Sequence, residues 1–283
     1  MILIIGSNGQ LGKEMQRQLA KKGWDYAAYD YPDIDITSPA SIKGLVTAVK
    51  PSTIVNCAAY TNVDAAETDK VNAYKINALG PNNLAELCHI KKIELVHIST
   101  DYVFSGAPVI VNGTPRPYIE TDVCSPQTVY GSTKYEGEMF VTSSCEKWYI
   151  LRTAWLYGEG NNFVKTMLRL SEVQDEVRVV NDQIGSPTST VDLANAICGL
   201  IGTGAYGLYH ATCEGQCSWY DFAQRIFKLK GLGIKVVPVT SEEFPRPAKR
   251  PKWSVLENRA LKVVGKNVFR PWKDALKEYL LND

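Results

Sequence analysis

A tyrosine and a lysine stand four residues apart in the stretch YGSTK, at positions 130 and 134. On an α-helix this spacing places the two side chains on one face. A phenol has an ordinary pKa near 10, so it is a weak acid and, at neutral pH, an ineffective base. A nearby ammonium stabilises the phenolate, and lowering the phenol pKa by roughly three units takes about 4 kcal/mol. Tyr130 and Lys134 are therefore predicted to form a proton donor for carbonyl reduction, in which the ammonium makes the phenol more acidic.

A second hydroxyl is needed to hold the carbonyl oxygen of such a substrate. The strand-like run ELVHIST ends at Ser99 and Thr100. The carboxyl ends of parallel strands are where open α/β sheets bind their ligands. Tyr-x-x-x-Lys alone is a weak motif, whereas a strand ending in Ser-Thr followed by this pair on a helix is more specific.

The chain opens with the strand-like run MILII, the glycine loop GSNGQLG at 6–12 and a helix-like stretch. Gly6, Gly9 and Gly12 permit a tight turn and a close approach of phosphate, and the helix amino end offers N–H groups and a favourable dipole. The spacing is G-x-x-G-x-x-G, unlike the common dinucleotide fingerprint G-x-G-x-x-G. The loop is predicted to bind a pyrophosphate. The alternative is that the glycines only allow a turn between the strand and the helix.

Asp30 follows the second strand-like run about twenty residues after the loop, where an acidic residue binds the adenine ribose hydroxyls. A carboxylate there repels a 2′-phosphate, which favours NADH or dual use over strict NADPH. The alternative is a turn residue before Tyr31 and Pro32. Either cofactor, NADPH or NADH, remains open from the sequence.

Strand-like and helix-like stretches alternate through the first half of the chain, which predicts a Rossmann-type doubly wound parallel sheet. We expect a dinucleotide-binding domain at 1–153, with returning segments near 175–203. Prolines and glycines then become more frequent, and 154–283 is predicted to be mainly a smaller C-terminal substrate-binding lobe.

The composition excludes several classes of protein. Lysine plus arginine number 31 and aspartate plus glutamate 30, without a long block of like charge, so the footprint of a nucleic-acid or polybasic membrane binder is missing. No stretch reads as a signal peptide or a transmembrane span. The seven cysteines lack regular spacing, and Cys213, Cys217 and His210 fit no zinc pattern. We expect a cytoplasmic protein with a small-molecule site and no metal.

Longer motifs cover nearly the full length of the chain, and with them it resembles reductases of the extended short-chain dehydrogenase/reductase family. The motifs are VNCAAYTNVDAAE at 55–67, STDYVFSG at 99–106, SPQTVYGSTKYEGE at 125–138, LRTAWLYG at 151–158, NNFVKTML at 161–168, NDQIGSPT at 181–188, GLYHA at 207–211 and RPAKRP at 246–251.

The resemblance implies reduction of the C4 ketone of dTDP-4-dehydro-L-rhamnose to dTDP-L-rhamnose by NADPH or NADH. It makes Thr100, Tyr130 and Lys134 the catalytic set. The residues implied to contact the cofactor are Gly9, Gln10, Leu11, Asp30, Asp35, Ile36, Ala58, Ala59, Tyr60, Tyr130 and Lys134. The residues expected to contact the nucleotide sugar are Thr100, Asp101, Tyr102, Trp155, Lys249 and Arg250.

Some of these residues have simpler alternatives. Without the resemblance, Trp155 fits an aromatic residue of the core or of a hinge between lobes as well as it fits a platform for the sugar ring. Lys249 and Arg250 are either a solvated pair or, given their proline-bound segment, a diphosphate site.

Other functions stay open within and outside the family. Dehydratases place an Asp-Glu pair after the threonine, whereas Asp101 and Tyr102 follow Thr100 here. Another nucleotide-sugar reductase fits the same motifs. Epimerases reuse the tyrosine and lysine, but they hold NAD tightly and are usually longer. A regulatory subunit of methionine adenosyltransferase resembles these reductases while serving only as a binding partner.

Some family members dimerise through magnesium held by glutamates. Glu14 matches the first of these glutamates, but Val191 stands where the second is expected, and a valine cannot bind a hard cation. We therefore expect a monomer without a magnesium bridge.

Overall fold

The computed structural model describes residues 1–281. The strands are, in chain order, β1 (Ile2–Ile5), β2 (Tyr26–Tyr29), β3 (Thr53–Asn56), β4 (Glu94–Thr100), β5 (Val109–Val111), β6 (Thr114–Arg116), β7 (Trp148–Thr153), β8 (Leu156–Tyr157), β9 (Glu176–Val180), β10 (Ile184–Gly185), β11 (Thr188–Ser189), β12 (Gly207–His210), β13 (Cys217–Ser218) and β14 (Lys235–Val239).

The α-helices are α1 (Gln10–Lys21), α2 (Pro39–Val49), α3 (Val63–Ala66), α4 (Lys70–Tyr74), α5 (Gly80–Lys91), α6 (Val129–Ser144), α7 (Phe163–Ser171), α8 (Thr190–Leu200), α9 (Trp219–Lys230), α10 (Arg259–Val263) and α11 (Trp272–Leu281). A π-helical turn, Lys75–Leu79, joins α4 to α5, and a 3₁₀ turn, Asp101–Val103, follows β4.

Six strands form one sheet in the order β12-β7-β4-β3-β1-β2, and every neighbouring pair is parallel. The predicted doubly wound fold of Rossmann type is confirmed. β2 and β3 both pair with β1, on opposite sides of it. The direction in which strands are added to the sheet therefore reverses between β1 and β3. Open α/β sheets bind ligands at the carboxyl ends of the strands at such a point.

Helices cover both faces of the sheet with apolar side chains. On α1 the side chains of Leu11, Met15 and Leu19 form a stripe that is buried together with residues of α8. Ser38 caps α2, because its side chain accepts a hydrogen bond from the Ser41 amide. The π-helical turn precedes Gly80, and the helix then continues through the Gly80-Pro81 pair.

The later segments divide between the sheet and a smaller lobe. α8 packs on α1, and β12 forms the edge of the sheet beside β7. β9 lies within the predicted returning range 175–203, yet it pairs with β14. We therefore propose that the returning part runs from α8 to β12, with β9 in the lobe.

Two further features concern helix length and thiols. Within residues 1–281, each helix is too short or too polar to cross a bilayer. All seven cysteines are free thiols.

Two glycines within helices provide a test of how tightly α6 packs. A Cβ on Gly137 of α6 would lie 2.2 Å from the Asn77 carbonyl oxygen in the π-helical turn, whereas a Cβ on Gly44 of α2 meets open space. We expect Gly137→Ala to lower the free energy of unfolding by about 1–3 kcal/mol through overpacking. Gly44→Ala should raise it by about 0.5–1 kcal/mol. Urea denaturation measures both, and equal effects would contradict this packing.

Candidate active site

The glycine loop forms a cradle of backbone at the amino end of α1. Gly6 has φ +80°, and a Cβ there would lie 2.5 Å from the Ala58 amide nitrogen. A Cβ on Gly12 would lie 2.2 Å from the Gly6 carbonyl oxygen. Gly9 caps α1 without a side-chain hydrogen bond. Unpaired N–H groups and the helix dipole at this position suit a pyrophosphate, so the loop fits a dinucleotide.

Asp30 directs its carboxylate toward this loop. Its two oxygens accept hydrogen bonds from the amides of Asn8 at 2.7 Å and Tyr31 at 2.8 Å. Asp30 therefore stands one strand away from the cradle, at the carboxyl side of β2, where an adenine ribose would lie.

A cleft of about 1330 Å³ runs along the carboxyl ends of the strands and brings most of the predicted site residues together. The predicted residues that line it are Gly6, Gly9, Gln10, Leu11, Gly12, Asp30, Asp35, Ile36, Ala58, Ala59, Thr100, Asp101, Tyr102, Tyr130, Lys134, Trp155 and Arg250. The two predicted residues Tyr60 and Lys249 do not line this cleft. Tyr60 donates its hydroxyl to Asp69 at 3.2 Å, and Lys249 is exposed beside the lining residue Arg250.

Tyr130 lies in the first turn of α6, and capping groups fix that turn. The Thr128 side chain accepts a hydrogen bond from the Gly131 amide at 3.0 Å, and Glu67 accepts one from the Val129 amide at 2.9 Å. A carboxylate at a helix amino end is favourable for the helix dipole. The Tyr130 ring meets Tyr102 edge-on, with 5.5 Å between centroids.

Burial raises the pKa of Tyr130 to about 12, although the Thr100 hydroxyl lowers it in part and the charge of Asp101 raises it further. The expectation of a more acidic phenol is wrong, because loss of solvent around the phenolate outweighs the stabilising contacts. At neutral pH Tyr130 is therefore protonated, which is the form that a proton donor requires.

Lys134 is buried one helical turn further along α6. Its ammonium donates to the Ile98 carbonyl oxygen at 2.6 Å and lies 3.5 Å from His97 Nε2. Burial lowers the pKa of Lys134 to about 8, against the opposing charge of Glu138. The side chain therefore stays mostly charged at neutral pH, on the same helix face as Tyr130.

Thr100 and Asp101 are hydrogen-bonded to each other at the end of β4. The Thr100 hydroxyl donates to Asp101 Oδ1 at 2.8 Å and accepts from the Tyr102 amide at 3.2 Å. Asp101 is buried, and burial raises the pKa of its carboxyl to about 7 despite these hydrogen bonds. A carboxyl that titrates near neutrality in a cleft is a common sign of a functional site.

An aromatic stack forms another part of the cleft lining. Trp155 has φ +48°, rare for a residue other than glycine, and its ring stacks on Trp219 with 3.6 Å between centroids. Arg250 forms an ion pair with Asp64 at 2.8 Å. No local sequence pattern indicates Trp219 or the lining residue Arg178, because tertiary packing alone brings them to the cleft.

Acidic residues at and beside the two positions compared with the magnesium-binding glutamates, Glu14 and Val191, are paired within the chain. Glu14 accepts hydrogen bonds from Gln18 at 2.7 Å and from Arg17 at 3.3 Å. Asp192, next to Val191, pairs with Arg270 at 2.9 Å. Across residues 1–281, no group of three or more histidines, cysteines or carboxylates is arranged to hold a metal ion.

Comparison with known proteins gives full-length matches. Residues 1–283 match the family model described as RmlD substrate binding domain. A dTDP-4-dehydrorhamnose reductase from Clostridium acetobutylicum is 51% identical, with a TM-score of 0.95, over 100% of this chain and 99% of its own. The enzyme of the same name from Bacillus anthracis, solved in complex with NADP, is 41% identical over the same shares, also with a TM-score of 0.95. The dTDP-4-dehydrorhamnose reductase of Streptomyces griseus is 41% identical over 98% of this chain and 91% of that protein.

The close backbone contact at Gly12 can be tested directly. Gly12→Ala places a methyl group against the Gly6 carbonyl oxygen and should displace the loop. A strain of about 1–3 kcal/mol corresponds to a roughly 5- to 150-fold higher Kd for the dinucleotide. Titration calorimetry with NADPH and NADH measures it, with Gly199→Ala in an open position of α8 as the control. An unchanged Kd in Gly12→Ala would show that the cradle does not hold the cofactor.

Proposed function

This chain belongs to the RmlD substrate-binding-domain family, and from that premise we propose that it reduces the C4 ketone of dTDP-4-dehydro-L-rhamnose to the alcohol of dTDP-L-rhamnose. It is an oxidoreductase that uses NADPH or NADH. One observation carries the proposal: Thr100, Tyr130 and Lys134 line the same cleft as the glycine loop. Relatives with this reductase name match along the full chain, and one of them binds NADP.

The cofactor supplies a hydride from its reduced nicotinamide when it is bound. The loop from Gly6 to Gly12 and the amino end of α1 would hold its pyrophosphate, and Asp30 its adenine ribose. The wall from Ala58 to Ala59 lies beside the loop at the end of β3, as the contact of Gly6 with Ala58 indicates.

The protein supplies the proton. Tyr130 is protonated at neutral pH because its phenol is partly buried, and it donates to the ketone oxygen as that oxygen gains charge. The Lys134 ammonium, fixed by Ile98, then stabilises the phenolate that remains. Thr100 orients the ketone, so the reacting oxygen is held by two hydroxyl groups.

The smaller lobe is proposed to bind the nucleotide sugar. Trp155 and Trp219 give the cleft a flat apolar wall suited to a deoxyhexose ring. Arg250, placed by Asp64, offers a guanidinium for the diphosphate. The exposed neighbour Lys249 can only contribute from the rim of the cleft.

Two alternatives are less well supported. Elimination of water would need a second carboxylate beside Asp101, and the next side chain is the phenol of Tyr102. A purely regulatory binding role would not need a protonated phenol and a buried ammonium on one helix face. Cofactor binding without turnover of dTDP-4-dehydro-L-rhamnose would support the regulatory role.

We also propose that the protein is a cytoplasmic monomer without a magnesium bridge. Glu14 already binds Gln18 and Arg17, and an apolar side chain occupies position 191. Light scattering with and without magnesium measures the mass, and a dimer that depends on magnesium would contradict this.

Tyr130→Phe tests the proton donor. Because the variant keeps the ring and loses the hydroxyl, we expect kcat to fall by about 10²- to 10⁴-fold, while the Kd for NADPH changes little. Stopped-flow oxidation of NADPH with dTDP-4-dehydro-L-rhamnose measures the rate. Tyr135→Phe, on the same helix and outside the cleft, is the control. Full turnover in Tyr130→Phe would remove the proton role.

Asp30→Ser tests cofactor choice. Removing the carboxylate removes its repulsion of a 2′-phosphate, so the ratio of kcat/KM for NADPH to that for NADH should rise by about tenfold or more. Asp33→Ser removes a nearby exposed carboxylate and should leave the ratio unchanged. An equal rise of the ratio in both variants would show that the net charge of the protein, and not a contact at Asp30, sets the cofactor preference.

A further inference from the structure

The Thr100 hydroxyl has one hydrogen, and Asp101 takes it. Thr100 donates to Asp101 Oδ1 at 2.8 Å, while the Tyr102 amide donates to Thr100 Oγ1 at 3.2 Å. A hydroxyl has a single donor and two acceptor positions, and an ionised carboxylate can only accept. With Asp101 charged, Thr100 therefore has no hydrogen left for a ketone oxygen, although the proposed function requires one.

The surroundings of Asp101 favour its uncharged form. The residue is 4% exposed, and Oδ2 is buried without a hydrogen-bond partner. The groups that face the carboxyl are the phenols of Tyr102 and Tyr130, the hydroxyls of Thr100 and Ser254, and the backbone amides of Asp101 and Tyr102. The hydroxyls and amides lower the pKa of Asp101, but burial outweighs them, and the Ser254 hydroxyl donates to the Ile184 carbonyl oxygen at 3.3 Å. Arg250 approaches the Tyr102 phenol. An unpaired oxygen of a buried carboxylate is costly, whereas the carbonyl oxygen of a neutral acid is much less so.

We propose that Asp101 works as a neutral carboxylic acid that donates its own hydrogen to Thr100 Oγ1 and thereby frees the Thr100 hydrogen for the sugar ketone. Asp101 is then a positioning residue for the reduction, and the inference rests on the proposed function. Thr100 would accept from Asp101 and from the Tyr102 amide and donate to the substrate, which uses all of its hydrogen-bonding capacity.

The chemical step stays balanced under this arrangement. A hydride moves to the C4 carbon, the proton of Tyr130 moves to the ketone oxygen, and the hydrogen of Asp101 is not consumed. A neutral Asp101 also removes a negative charge that would oppose the charge developing on that oxygen. The same charge raises the pKa of Tyr130, so its loss makes Tyr130 a stronger acid.

The pH dependence of hydride transfer tests the inference. The active form is protonated and burial raises the pKa of Asp101 to about 7. In the wild-type protein the single-turnover rate should therefore be constant below pH 7 and fall by about tenfold per pH unit above it. Lys134, whose pKa is about 8, contributes a second fall at higher pH. Stopped-flow measurements at saturating NADPH and dTDP-4-dehydro-L-rhamnose give this profile.

Two variants separate the roles of Asp101. In Asp101→Asn the amide can donate to Thr100 permanently, so the fall near pH 7 should disappear and only the fall near pH 8 should remain. Asp101→Ala leaves the Thr100 hydrogen free but no longer orients the hydroxyl, so we expect a rate at least tenfold below that of Asp101→Asn at pH 7, again without the fall near pH 7. A fall near pH 7 that persists in Asp101→Asn would overturn the inference.

A titration without substrate keeps this test separate from the proposed function. Carboxyl ¹³C NMR of the wild-type protein, with Asp101→Asn for assignment, should show Asp101 titrating near pH 7. A midpoint near the ordinary value of about 4 would overturn the inference whatever the substrate. If this midpoint is found and dTDP-4-dehydro-L-rhamnose is not reduced at any pH, the proposed function fails instead.

Discussion

Burial of ionisable groups at the carboxyl ends of the sheet strands is the constraint on which this site depends. Lys134 and Asp101 are buried and Tyr130 is partly buried, and the loss of solvent disfavours the charged form of each side chain. At neutral pH the Tyr130 phenol stays protonated. The pKa of the Asp101 carboxyl is raised to about 7, and the pKa of the Lys134 ammonium is lowered to about 8. These protonation states suit reduction of a ketone, since the acid that gives its proton is present in its active form.

The fold holds these groups by contacts that lie deeper than the cleft. Glu138, two turns after Tyr130 on α6, accepts from Arg152 of β7 at 2.6 Å and from the Ser99 hydroxyl of β4. Removing one partner from such a buried pair is strongly destabilising, because a charge is left unpaired. On the opposite side, Asn77 hydrogen-bonds the backbone of Tyr60 and the side chain of Thr133. α6 is thereby fixed to the sheet and to the π-helical turn that contains Asn77.

Local patterns in the sequence were enough to predict the framework. The alternation of strand-like and helix-like stretches depends on residues close in sequence, and the structure confirms the parallel sheet that it predicts. Tyr130, Lys134 and Thr100 were predicted from helix periodicity and strand ends, which are local properties, and they line one cleft. The direction of the Tyr130 pKa shift was missed, since it depends on how much protein surrounds the phenol. Tyr60 pairs with Asp69 and Trp155 stacks on Trp219, and neither contact has a sequence signal.

Proton donation by Tyr130 depends most directly on the protonated state of its phenol. NMR of the protein labelled with ¹³C at the tyrosine Cζ atoms, with the signal of Tyr130 assigned by its loss in Tyr130→Phe, follows the phenol during a pH titration. We predict that this signal stays unchanged up to pH 10 and shifts with a midpoint near pH 12. A midpoint below the ordinary value of about 10 would show that the ammonium of Lys134 outweighs burial, and would contradict the account.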